Sequence, residues 1–330
     1  MDTLAGPLGV VLLLVLAAEF VNGWTDAPNA IATVVSTRVL SPFQALAMAT
    51  VLNAVGTMSG TAVAATIGTG IVKPEVIELT TVAAAMVAIV AWSTVAWYYA
   101  LPTSESHALV AGLSGAGLAT AGPAVLVWDG WQKVLIGLLF STFLGFLGGF
   151  YIATLIYRIF WDTAPGRVRR LFGRLQILSA AFMAFSHGSN DGQKFIGTFT
   201  LALVLGGVLP EFAVPLWVIL LCGLTMGVGT AVGGWRIVKT MGLRLTKLDP
   251  VHGFAAETAA ATAIEIASRL GIPLSTTHTI NTSIMGVGSI RRFSAVRWGV
   301  GAHIVTAWIL TFPVCGVLAW GVTKLLLLAR

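Results

Sequence analysis

The chain has 330 residues, 57% of them hydrophobic and 10% charged, with 19 Lys and Arg against 13 Asp and Glu for a formal net charge of +6. A soluble domain carries roughly 45–50% apolar and about 25% charged residues. Too little charge is present to cover a water-facing surface, which excludes a soluble globule, a disordered chain, a disulfide scaffold and a coiled coil.

Apolar runs of about 20 residues mark ten candidate crossings, near 5–40, 43–68, 76–100, 104–122, 131–160, 174–205, 212–235, 252–269, 273–290 and 298–324. Met1-Asp2 opens the first without a basic stretch or an obvious cleavage site, which predicts a span and no signal peptide. The runs 5–40 and 174–205 are too long for one span. Each holds a polar cluster, Asn22-Gly23-Trp24-Thr25-Asp26 and His187-Gly188-Ser189-Asn190-Asp191, read here as a helix break. The runs 104–122 and 273–290 are short and rich in Gly, Ser and Thr, which suits broken spans or re-entrant hairpins. Cys222 and Cys315 lie in apolar runs without Cys or His at metal spacing and read as buried structural thiols.

The basic residues fall between the apolar runs, as in cytoplasmic loops, and no nucleic-acid partner is expected. Placing the cluster Arg158, Arg167, Arg169, Arg170 and Arg174 in the cytoplasm and alternating outward also brings Arg38, Arg236, Lys239, Arg244, Lys247, Arg291, Arg292 and Arg297 inside. Lys73, Lys133, Arg269, Lys324 and Arg330 fall outside. Thirteen against five predicts an inner- or plasma-membrane protein with both termini outside.

The chain repeats itself. Residues 20–33 align with 185–198 at an offset of 165, Thr57-Met58 returns as Thr225-Met226, and 102–107 align with 273–278 at an offset of 171. Five crossings per half is an odd number, so the halves are expected to be inverted. The fold class is therefore an all-α polytopic membrane protein of two inverted-topology repeats of about five spans each, with broken helices and candidate re-entrant hairpins. Residues 1–160 form the first repeat, 161–173 a short basic cytoplasmic linker, and 174–330 the second repeat. Inverted repeats with interrupted helices characterise secondary transporters, whose sites lie near the midplane.

A carboxylate at mid-bilayer costs about 2.5–3.5 kcal/mol on insertion scales. Asp26 and Asp191 sit at equivalent places of the repeat, and a cation held in common accounts for that cost better than two unrelated polar contacts. Candidate ligands for a coupling cation, Na⁺ or H⁺, are Asn22, Thr25, Asp26, Asn29, Asp191 and Glu257, with Na⁺ itself placed at Asp26 and Asp191. Glu19 and Glu265 rank below them. The segments after Pro102 and Pro273 bring Ser104, Ser106, Ser275, Thr276 and Thr277 to helix starts, where hydroxyls either cap the helix or hold a tetrahedral oxyanion. His107, His278, Asn190, Gln193 and Lys194 complete the candidate anion set. Lys194 stands at the repeat position of Asn29, and two roles stay open for it: attracting the anion or neutralising Asp191. Trp128, Trp131, Trp161 and Trp298 read as interfacial anchors.

Gly23…Asp26…Asn29-Ala30-Ile31-Ala32-Thr33 and Ser186-His187-Gly188-Ser189-Asn190-Asp191-Gly192-Gln193-Lys194 together resemble the duplicated signature of the inorganic phosphate transporter (PiT) family, of the low-affinity phosphate/sulfate permease type. Gly271-Ile272-Pro273-Leu274-Ser275-Thr276-Thr277-His278 resembles its second-half motif, and Glu257 stands at the spacing of a family glutamate. Trp24, Thr25 and Pro28 depart from the usual Ala, Asn and Ala, and no large central hydrophilic loop is present. The resemblance implies uptake of inorganic phosphate driven by Na⁺ or H⁺, with no cofactor and no enzymatic activity. Partners are phosphate and membrane lipid, and a homodimer is left open. The alternatives are a sulfate permease of the same family, a passive anion channel, and an intramembrane metal-dependent hydrolase using His107, His187 and His278. The hydrolase is disfavoured because paired metal-ligand spacing is lacking. Two negative charges entering a cell at about −100 mV cost about 4.6 kcal/mol, which favours a co-bound cation over free passage.

Overall fold

The computed structural model describes residues 6–290 and 292–329. The readings placed on Met1-Asp2, Arg291 and Arg330 lie outside the described residues. Among the described residues the chain forms twelve α-helices and no β-strand. The first half holds α1 (Pro7–Ser36), α2 (Pro42–Thr57), α3 (Ala62–Gly70), α4 (Leu79–Tyr98), α5 (Glu105–Ala121) and α6 (Trp128–Ile159). The second holds α7 (Pro165–Leu205), α8 (Leu216–Val232), α9 (Trp235–Lys239), α10 (Pro250–Arg269), α11 (Thr276–Gly288) and α12 (Trp298–Leu328). Helices α1, α4, α6 and α12 are each long and apolar enough to cross a membrane. Two bent pairs also qualify, α2 with α3 (66°) and α8 with Trp235–Arg244 (60°).

The breaks are real but lie elsewhere than expected. Helices α1 and α7 run unbroken through Asn22–Asp26 and His187–Asp191. Helical spacing explains why. Asn22, Thr25, Asp26, Asn29 and Thr33 recur every three or four residues, as do His187, Asn190, Asp191, Lys194 and Thr198, so each set forms one polar stripe on a continuous helix. Pro28 gives no N–H to the Trp24 carbonyl, yet the helix continues past it, as transmembrane helices tolerate when neighbours pack closely. The motif glycines serve that packing. A Cβ on Gly23 would strike the Met226 carbonyl of α8, and one on Gly188 the Asn53 carbonyl of α2. The sharp turns instead fall at 58–61 and at Gly233, whose φ of +71° suits glycine.

Residues 165–173 of the expected linker are the opening turns of α7, with Pro165 at a position where its missing N–H costs nothing. The halves interleave. Helix α2 packs on α7 as α8 packs on α1, α5 on α12 as α11 on α6, and α4 on α12 as α10 on α6. Segments assigned to one side by charge also meet. Arg236 donates to the Tyr98 carbonyl (2.8 Å), Thr37 to Gln176 (2.8 Å), and the Arg297 amide to the Leu245 carbonyl (2.9 Å). At the other end Lys324 donates to the Ala119 carbonyl (2.8 Å), and the Lys73 amide to the Val125 carbonyl (2.9 Å).

Candidate functional site

The polar stripes of α1 and α7 face each other across the N-terminal turns of α5 and α11. Ser104 and Ser275 are N-caps: Ser104 Oγ accepts from the His107 amide (3.4 Å) and Ser275 Oγ from the His278 amide (3.2 Å). Ser275 also donates to Ser104 at 2.8 Å, which pins the two helix starts together. These two residues thus take the capping role that the sequence left open.

One residue further on, the site closes around both carboxylates. Thr276 Oγ1 donates to Asp191 Oδ2 (2.8 Å), and Thr277 Oγ1 to Asp26 Oδ2 (3.2 Å). Asn29 Nδ2 donates to Thr277 (2.9 Å). Lys194 forms an ion pair with Asp191 and donates to Ser106 Oγ (2.5 Å) and the Leu274 carbonyl (3.1 Å), while Ser106 donates to that same carbonyl (3.0 Å). His187 Nε2 lies 3.5 Å from Asp191 Oδ2, and its Nδ1 lies 3.0 Å from Asn53 Oδ1. Ligand atoms of Asp26, His187 and Asp191 all fall within 4.8 Å of one another. Every one of these side chains is buried. Two carboxylates and one fixed ammonium in a dry region carry a negative excess that a mobile cation would offset.

Glu105 completes the first-half side and was not singled out in the sequence. Thr25 Oγ1 donates to its Oε1 at 3.1 Å, and the whole side chain is buried. The cue was its alignment with Thr276 at the 171 offset. The sequence brings His187 forward only in the hydrolase alternative, although it aligns with Asn22 and stands four residues from Asp191 on the same helix face.

Other expected residues lie apart from this cluster. His107 and His278 meet ring to ring at 4.5 Å, His278 stacks on Trp308 (3.6 Å), and His107 lies tilted against Phe312 (4.6 Å). Both line a cavity of about 490 Å³ bordered by the exposed side chains of Leu139, Phe143 and Ile309. His107 is two residues past Glu105 and so about 200° around the helix from it. Gln193 Oε1 accepts from the Val63 amide (3.0 Å), holding the start of α3, and Asn190 donates to Ser268 (3.0 Å) and the Ile272 carbonyl (3.2 Å). Asn22 pairs with Glu19 (3.2 Å). Glu257 accepts from Thr33 (2.5 Å), Gln176 (3.1 Å) and Ser179 (2.5 Å), tying α10 to α1 and α7. Thr33 is seven residues from Asp26, about 10 Å along α1. Glu265 pairs with Arg269 at 2.9 Å near the surface.

The sequence matches the phosphate transporter family over residues 22–165 and again over 161–319. The chain belongs to that family. It is 43% identical over 320 residues to a probable low-affinity inorganic phosphate transporter of Rhizobium meliloti (strain 1021), covering 96% of each chain. It is 39% identical over 312 residues to one so named in Bacillus subtilis (strain 168), covering 94% of each. The solved structure titled "The sodium-dependent phosphate transporter" superposes with a TM-score of 0.90 at 25% identity, over 98% of this chain and 100% of that one. The resemblance seen in the motifs therefore holds, and the chain is a multi-pass membrane protein of a transporter family, not an enzyme.

Proposed function

We propose that the protein imports inorganic phosphate by symport with Na⁺ or H⁺ through alternating access. The observation that carries this reading is the convergence of two repeat-matched carboxylates, Asp26 and Asp191, on the hydroxyl-bearing starts of α11 and α5. Asp26 holds the driving cation, with Thr277 and the Asn29 amide beside it, while Asp191 is paired with Lys194. Phosphate is held by Thr276, Thr277 and Ser106 together with N–H groups of the first turns of α5 and α11, which are free of intrahelical partners and suit an anion. Because each of these hydroxyls is engaged with a carboxylate, the ammonium or a carbonyl, phosphate must displace those bonds as it enters. A hydrogenphosphate can donate to a carboxylate and a neutral-pH sulfate cannot, which favours phosphate over the sulfate alternative.

The neighbour's title names sodium, and a site of carboxylate, hydroxyl and amide oxygens suits a hard cation. Five spans per half, with each bent pair counted as one, make the halves inverted repeats. The basic end of the molecule faces the cytoplasm of the inner or plasma membrane and both termini lie outside. Because the halves interleave, the moving units are the α4–α5–α12 and α6–α10–α11 bundles, whose seam crosses the Ser104–Ser275 contact. In proteoliposomes, labelled phosphate should accumulate above equilibrium under an inward Na⁺ or proton gradient, with little competition from excess sulfate. Equilibration alone would contradict the symport reading, and equal competition would favour the sulfate alternative.

A further inference from the structure

Lys194 makes the two halves chemically unequal. In the repeat it stands where the first half has Asn29, and Ser106 stands where the second half has Thr277. Both pairs meet across the halves, Lys194 with Ser106 and Asn29 with Thr277. The position is therefore duplicated, with an ammonium at one copy and a neutral amide at the other.

An ammonium has three protons to give. Those of Lys194 are taken by the Asp191 carboxylate, the Ser106 hydroxyl and the Leu274 carbonyl, so none is left for an anion. The same three acceptors are an all-oxygen set of the kind that receives a hard cation. Among the described residues no ammonium hydrogen-bonds Asp26: its hydrogen bond comes from the Thr277 hydroxyl, and the neighbour at the matched position is Asn29. The whole second-half arrangement is buried, Lys194 at 0% exposure, so its charge is not screened by water.

We propose that Lys194 is a tethered cation that permanently fills the second-half cation position. Only the first-half position, built around Asp26, then takes an exchangeable cation, and each phosphate moves with one cation fewer than two matched positions would carry. This inference rests on the symport reading above.

The test counts cations per phosphate in proteoliposomes with the membrane potential clamped, from the phosphate gradient at which net flux stops under a fixed cation gradient. Lys194→Asn restores the first-half residue and opens the second position. Its coupling number should rise by one, so a tenfold cation gradient should hold a phosphate gradient about tenfold larger than wild type does. An unchanged number overturns the tethered-cation proposal while leaving symport intact. The double variant Asp191→Asn with Lys194→Met removes both charges of the pair without exposing either, and it should keep the wild-type ratio whatever its rate. A ratio lower by one in that variant also overturns the proposal, and this arm stands even where Lys194→Asn fails to fold. Failure of wild type to accumulate phosphate under any cation gradient would instead remove the symport reading itself.

Discussion

The two halves of the molecule set different charges around the carboxylates of α1 and α7. Around Asp191 the second half sets a lysine and a histidine of its own helix and a threonine of α11, so the carboxylate is already compensated by the Lys194 ammonium. Around Asp26 the first half sets Asn29, Thr25 and a second carboxylate, Glu105, with hydroxyls as the hydrogen-bond donors. A buried carboxylate with a fixed partner is a structural ion pair, while one without a fixed cation calls for a mobile one.

The carboxylates themselves should show the difference between the halves most strongly. Asp26→Asn should abolish coupled uptake, a loss of at least about 100-fold, while the yield and thermal stability of the purified protein stay near wild type. Asp191→Asn should lose uptake and stability together, because it leaves the Lys194 charge buried and unpaired, a defect of about 3–5 kcal/mol. Uptake and melting temperature measured on both variants test this. A stable Asp191→Asn protein would show that the two carboxylates are equivalent after all.

The glycines should behave alike in both halves. Gly23→Val and Gly188→Val each push a side chain into the backbone of a neighbouring helix, at a cost of about 1–3 kcal/mol or more, and both should lower the folded yield on size-exclusion chromatography. A smaller effect is expected at the histidine pair. Replacing His107 or His278 with Phe keeps the aromatic packing and should change uptake by less than about threefold. Abolished uptake would return these rings to the substrate path. The smallest effect belongs to Asp249, which caps α10 by accepting from the Val251 (2.9 Å) and His252 (3.0 Å) amides. Asp249→Ala should cost about 1 kcal/mol in a thermal melt and leave the coupling ratio unchanged.

Much of this was legible in the sequence. The duplication, the paired carboxylates and the pairing of Ser104 with Ser275 followed from repeat alignment and from the cost of charge in lipid. The helix breaks were misplaced because Gly, Asn, Asp and Pro in 22–28 outweighed a spacing that was helical throughout, and because Gly23 serves a close crossing of helices in place of a turn. The partners of Glu257 were hidden for a different reason. Thr33, Gln176 and Ser179 come from two other helices, and no local spacing announces a three-helix contact. His107 and His278 occupy matched positions and meet each other and Trp308, contacts between separate helices that no local spacing announces.

Asp26 is proposed to hold the cation that drives phosphate inward. Phosphate accumulation in proteoliposomes under imposed Na⁺ or proton gradients, compared between wild type and Asp26→Asn, tests it most directly. Wild type should concentrate phosphate above equilibrium and lose that ability when the gradient is collapsed, while Asp26→Asn should not accumulate it at all. Gradient-driven accumulation by Asp26→Asn equal to that of wild type would contradict the account.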